Sequence, residues 1–159
     1  VVQIYNWLHE AQAGNKGYVE LLWDVQIAQR RVQGAGERGE IASIQKRITL
    51  LEKALKLAKK TTPLVKDQAY FYHDQVLLPV RLLLQLNQFL LHLTLAGYHP
   101  TQPERLVQAI ETLQTHTNTR LQGDNNQKWA TWYSPAKARP NNGYPDIQFL
   151  KNIMNKHKG

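Results

Sequence analysis

Ile41, Ile44, Ile48, Leu51, Leu55 and Ala58 step 3-4-3-4-3 along the chain. That is the spacing of an α-helix with one continuous apolar seam, and a seam of this kind needs an antiparallel neighbour or a coiled-coil partner. The pattern predicts a helix over 37–60. Similar spacing recurs through the rest of the sequence. Val1, Ile4, Tyr5, Leu8 and Ala11 share a helical face before Gly14-Asn15-Lys16-Gly17 interrupts it. Tyr18, Leu21, Leu22, Val25, Ala28 and Val32 form a second helical face, which ends at Gly34-Ala35-Gly36.

Thr61-Thr62-Pro63 reads as a hydroxyl cap followed by proline in the first helical turn. The helical pattern then runs to Gly97, roughly 35 residues or about 50 Å if straight. Pro79 lies inside this run and removes one hydrogen bond, so an interruption is expected near Leu77–Leu78. Val76 to Ala96 is apolar enough to raise the question of a membrane span. Arg81, Gln85, Asn87, Gln88 and His92 argue against one, because each would be costly in hydrocarbon. This run is therefore the expected core helix, with no membrane span. Thr101-Gln102-Pro103-Glu104 reads as a capping box, opening a helix that buries Leu106, Ile110 and Leu113. A last short helix is expected over 147–159.

Sustained strand-type alternation occurs nowhere. The expected fold is all-α: an antiparallel helical bundle of five to six helices with one long Pro-kinked central helix. One domain is expected over residues 1–159. Its main bundle spans 1–123, an irregular aromatic and basic segment 124–146, and the C-terminal helix 147–159. Asp124 to Asp146 combines Trp129, Trp132, Tyr133 and Tyr144 with Lys128, Lys137 and Arg139, punctuated by Pro135, Pro140 and Pro145. Trp129, Trp132 and Tyr133 keep a helical spacing, which suits a plug at the bundle end; 134–144 is the irregular part.

Charge adds the clearest functional signal. The net charge is +8, and it is concentrated in two places. Residues 37–60 carry seven basic and three acidic side chains; residues 124–159 carry six and two. Lys46, Lys53 and Lys60 recur every seven residues, with Lys56 beside them. Such asymmetry favours an acidic partner, either nucleic acid or protein. Basic side chains interleaved with aromatic rings suit nucleic acid in particular, since rings stack on bases while cations meet phosphates. A second candidate is the stripe Arg81, Gln85, Gln88 and His92. It could meet water or floor a polar groove.

Several chemistries find little support. Gly34-Ala35-Gly36-Glu37-Arg38-Gly39 matches a dinucleotide fingerprint in letters, but no strand feeds it. With no cysteine in the chain, disulfides and thiolate zinc sites are excluded. The six histidines show no metal-binding spacing; His73 and Asp74 are adjacent and should point apart, while His92 and His116 could meet across a helix pair. Neither a metal nor a cofactor is expected.

The leading expectation is a non-enzymatic helical binding module for an acidic partner, most concretely nucleic acid. It would use Lys46, Lys53, Lys56 and Lys60 with Lys128, Trp129, Trp132, Tyr133, Lys137, Arg139 and Tyr144. One alternative is a protein-interaction or accessory domain of a larger assembly, including a homodimer through the helix seam. The other is a helical enzyme, glycan-acting for instance, using Glu20, Asp24 or His92. The compartment is left open between the cytoplasm and a processed, exported product.

Overall fold

The computed structural model describes residues 1–13, 38–99 and 101–123, together with 148, 151, 152 and 155. Nearly all of these are helical, and no strand occurs among them. Four helices organise the fold: α1 (Val2–Ala13), α2 (Arg38–Thr61), α3 (Leu78–Tyr98) and α4 (Pro103–Gly123). The helix expected at 18–33 and the aromatic segment at 124–146 lie outside the described residues.

α1 packs on α2, α2 on α3, and α3 on α4. The contacts run in opposite senses along each of the last two pairs. Tyr72 reaches Ala58 while Asn87 reaches Arg47; Gln85 reaches Thr119 while His92 lies by Arg105 and Gln108. Charges at the helix ends agree with the backbone dipole. Lys59 and Lys60 close α2, Glu104 opens α4, and Arg120 stands in its last turn.

Between α2 and α3 the chain stays helical without being regular. Thr62–Gln68 is a 3₁₀ segment interrupted at Val65 (φ −122°, ψ 35°), Ala69–Tyr72 is one α-turn, and His73–Leu77 is a π turn. The expected hydroxyl cap does not form. Thr61 Oγ1 instead donates back to carbonyls of α2, at Leu57 (3.0 Å) and Ala58 (3.1 Å). It therefore ties off the end of α2 rather than starting the next helix.

Pro79 explains the π turn that precedes it. In α register the Gln75 carbonyl would accept from the N–H of residue 79, which proline lacks. The Leu78 N–H bonds the His73 carbonyl in the wider register. The Tyr5 hydroxyl of α1 then donates to the Gln75 carbonyl at 3.2 Å. An acceptor stranded by proline becomes a tether for the first helix.

The core divides into two apolar clusters. In the first, Ile4, Leu8 and Ala11 of α1 meet Leu51, Ala54 and Ala58 of α2 and Tyr72, Val76, Leu77, Val80 and Leu84. In the second, Ile44 joins Leu86, Phe89, Leu90, Leu93 and Ala96 of α3 to Leu106, Ala109 and Leu113 of α4. Each full burial of a large apolar side chain stabilises by about 1.5–3 kcal/mol, so these contacts dominate the fold. Ile48 packs against both clusters. Among the described residues, one stretch, His73–Ala96, is long and apolar enough to cross a membrane, but over half of its apolar window is buried inside the protein.

Candidate polyanion-binding face

Which face of α2 turns inward decides which face is left for a partner. Its buried line is Ile44, Arg47, Leu51, Ala54 and Ala58, again at 3-4-3-4 spacing. Ile41, Ile48 and Leu55, expected on the seam, flank it at half burial. The seam is therefore rotated slightly, and it brings Arg47 into the interior. At 100° per residue, Lys46, Lys53, Lys56 and Lys60 fall opposite the buried line. All four are exposed, as is Lys59.

This basic face is nearly unopposed. Over residues 46–60, five exposed lysines stand against Glu52 alone, with Arg47 turned into the interior. Lys46 Nζ lies 3.4 Å from Glu10 of α1, both side chains being more than half exposed. Among the described residues, Lys53, Lys56, Lys59 and Lys60 form no ion pair closer than that. Lys46 to Lys60 spans fourteen residues, about 21 Å of helix at ~1.5 Å per residue. Along a duplex axis each strand presents a phosphate roughly every 3.4 Å, so the track is as long as about six base pairs.

Lys128, Trp129, Trp132, Tyr133, Lys137, Arg139 and Tyr144 lie outside the described residues, as do Glu20 and Asp24. The stripe Arg81, Gln85, Gln88 and His92 is described, and all four side chains are half-buried. Two of them turn to α4. Gln85 Nε2 donates to Thr119 Oγ1 at 2.9 Å, while its Oε1 is buried with no protein partner. Burial lowers the His92 pKa, and the Arg105 charge lowers it further; a hydrogen bond to Gln108 partly offsets both. So Gln85 and His92 belong at least in part to a helix seam.

His92 and His116 do not converge. His116 is buried near Leu82 and Arg120. The position His92 faces, Gln108, lies eight residues away on α4, about 12 Å along the helix. Burial first, and the Arg120 charge second, push the His116 pKa down to about 4 against a backbone hydrogen bond at Leu82. Among the described residues, no three histidines or carboxylates gather as metal ligands would. His73 and Asp74, expected to point apart, instead meet at 3.1 Å between Nδ1 and Oδ1. A π turn fits more residues into each turn, so consecutive side chains diverge less.

Sequence reasoning missed the buried polar group at the centre. Arg47 Nε donates to Asn87 Oδ1 at 2.9 Å, Arg47 Nη1 donates to Ser43 Oγ at 2.9 Å, and Asn87 Nδ2 donates to the Leu83 carbonyl at 2.9 Å. The sequence carried only a partial signal, an asparagine on the most apolar run and Ser43 one turn before Arg47; the fold decides that Asn87 is buried beside Arg47. No protein family, curated protein or solved structure matches the chain.

Proposed function

We propose that this protein is a non-enzymatic, antiparallel helical bundle of five to six helices that binds an acidic polymer. Nucleic acid is the most concrete partner. The observation that carries the reading is the exposed lysine face of α2, four lysines opposite the buried line with two acidic neighbours, Glu52 within the stretch and Glu10 at its end. A core helix needs no such charge to pack, and a rigid helix holds the row of lysines on one side, each side chain still losing rotamer freedom when a phosphate docks. The aromatic and basic residues Lys128, Trp129, Trp132, Tyr133, Lys137, Arg139 and Tyr144 extend the proposed contact.

Recognition would be driven by the backbone of the nucleic acid, because an ammonium group meets phosphate as a point charge without regard to sequence. Affinity should then fall steeply with salt, since each neutralised phosphate contributes about 0.7–0.9 to the log–log slope. Fluorescence anisotropy with labelled oligonucleotides across a salt series tests this. K53Q/K56Q/K60Q should reduce the slope by about 2 and weaken binding to every sequence alike. Absence of binding at low salt, or binding indifferent to salt, would sink the reading.

A further inference from the structure

The lysines of α2 share one surface as well as one helix. At ~100° per residue, Lys53 and Lys60 stand within about 40° of Lys46, and Lys56 within about 80°. Lys46 borders α1, 3.4 Å from Glu10, while Ile44, Leu51, Ala54 and Ala58 face the core on the other side. α2 is one unbroken helix of 24 residues, so the row is nearly straight. Over residues 41–60 the other exposed side chains are Ala42, Ser43, Gln45, Thr49 and Glu52. Each is too small or too polar to stack on a base.

A straight row of cations on such a surface ranks acidic polymers by charge density and stiffness. A duplex carries one charge per about 1.7 Å of its axis, twice the density of either strand. It also releases more counterions per contact, about 0.9 against 0.7 for a single strand. An extended peptide spaces its carboxylates at least ~3.3 Å apart. A duplex is stiff over about 150 base pairs, whereas a single strand must be ordered along the helix and gains no stacking there in return. We propose, resting on the polyanion-binding reading, that the α2 face docks on duplex nucleic acid and bridges its two strands. Each strand winds about the duplex axis while the row runs straight, so the row leaves the strand it starts on. At about 21 Å it is longer than the ~12 Å width of a major groove, and its far end reaches the opposite strand.

The test measures anisotropy of the full chain with a labelled duplex of about 12 base pairs, twice the length of the row, and with each of its strands alone. From equal affinity at about 1 M salt, four lysine contacts favour the duplex about sixfold at about 0.1 M. K53Q/K56Q/K60Q should lower the ratio of duplex to strand affinity about fourfold. Taking the ratio between variant and parent cancels what the rest of the chain contributes. Neutral methylphosphonate linkages placed in one strand of the duplex, then in the other, should each weaken binding by the parent. Because the lysines are exposed, circular dichroism of the variant should match that of the parent.

The outcomes separate the two ideas. If the variant loses duplex and strand in equal proportion, the duplex inference fails and the polyanion reading stands. If neutralising one strand leaves affinity unchanged, the row follows a single strand and the inference is overturned. If neither nucleic acid binds at low salt, both fail. If the variant loses binding to polyglutamate while its duplex affinity is unchanged, the face serves an acidic protein, and the inference is overturned.

Discussion

α3 meets α2 on one side and α4 on the other, and the two seams bury polar side chains in different ways. Towards α2, Arg47 is held by Asn87 and Ser43 through hydrogen bonds of 2.9 Å. Arginine keeps its charge at every ordinary pH, so this seam is indifferent to acid. Towards α4 the polar groups include His92 and His116, both with lowered pKa values, near Arg105 and Arg120. That seam depends on two imidazoles remaining neutral. The contrast teaches that burial alone does not set acid sensitivity; the proton affinity of the buried group does.

Acid should break this comparison most strongly. The His116 pKa falls from the usual 6.5 to about 4 on folding, so its neutral form is favoured in the folded protein. Stability is complete above the unfolded value of 6.5 and declines as pH falls towards 4. At about 1.4 kcal/mol per unit, the loss is on the order of 3 kcal/mol, with His92 acting in the same direction. Urea midpoints at pH 7.5 and pH 4 measure it. Replacing His116 with Leu should remove most of the difference; an undiminished difference would assign it to other groups.

The α2 seam should give a smaller effect without pH dependence. Asn87→Leu removes an acceptor from a buried guanidinium, costing roughly 2–3 kcal/mol, and the cost should be equal at pH 7.5 and 5. Adding Arg47→Met should recover much of it, because a packed apolar pair leaves no charge stranded. A double variant as unstable as the single one would show that Arg47 contributes mainly by packing.

Weaker still is the Gln85–Thr119 bond across the α4 seam. Thr119→Val should cost about 1 kcal/mol by urea unfolding, since it leaves Gln85 Nε2 without its acceptor. The smallest effect belongs to the exposed pair Lys46–Glu10. Glu10→Gln should change stability by less than about 1 kcal/mol. The same change should tighten oligonucleotide binding at low salt, because it frees Lys46 for phosphate. Unchanged affinity would remove Lys46 from the proposed track.

The four described helices and much of their inward faces were legible because a 3-4 repeat of apolar residues favours one compact solution. Ile44, Leu51 and Ala58 are buried as that repeat requires, and the irregular turns fall just before Pro79. The Gln85–Thr119 bond was not legible, since a polar stripe reads alike whether it meets water or a hydroxyl on another helix. Arg47 was missed for a related reason. A charge next to Lys46 reads as surface until a partner such as Asn87, forty residues away, is brought beside it.

By itself the sequence determined the helical class, the lysine-rich outer side of α2 and the place where proline must disturb the helical run, because each follows from local spacing and backbone chemistry. Tertiary structure alone decided the rotation that buries Arg47, the neutral state of His116, and the bond between Gln85 and Thr119. Those three depend on which groups from distant parts of the chain share a low-dielectric interior, and local spacing carries no record of that.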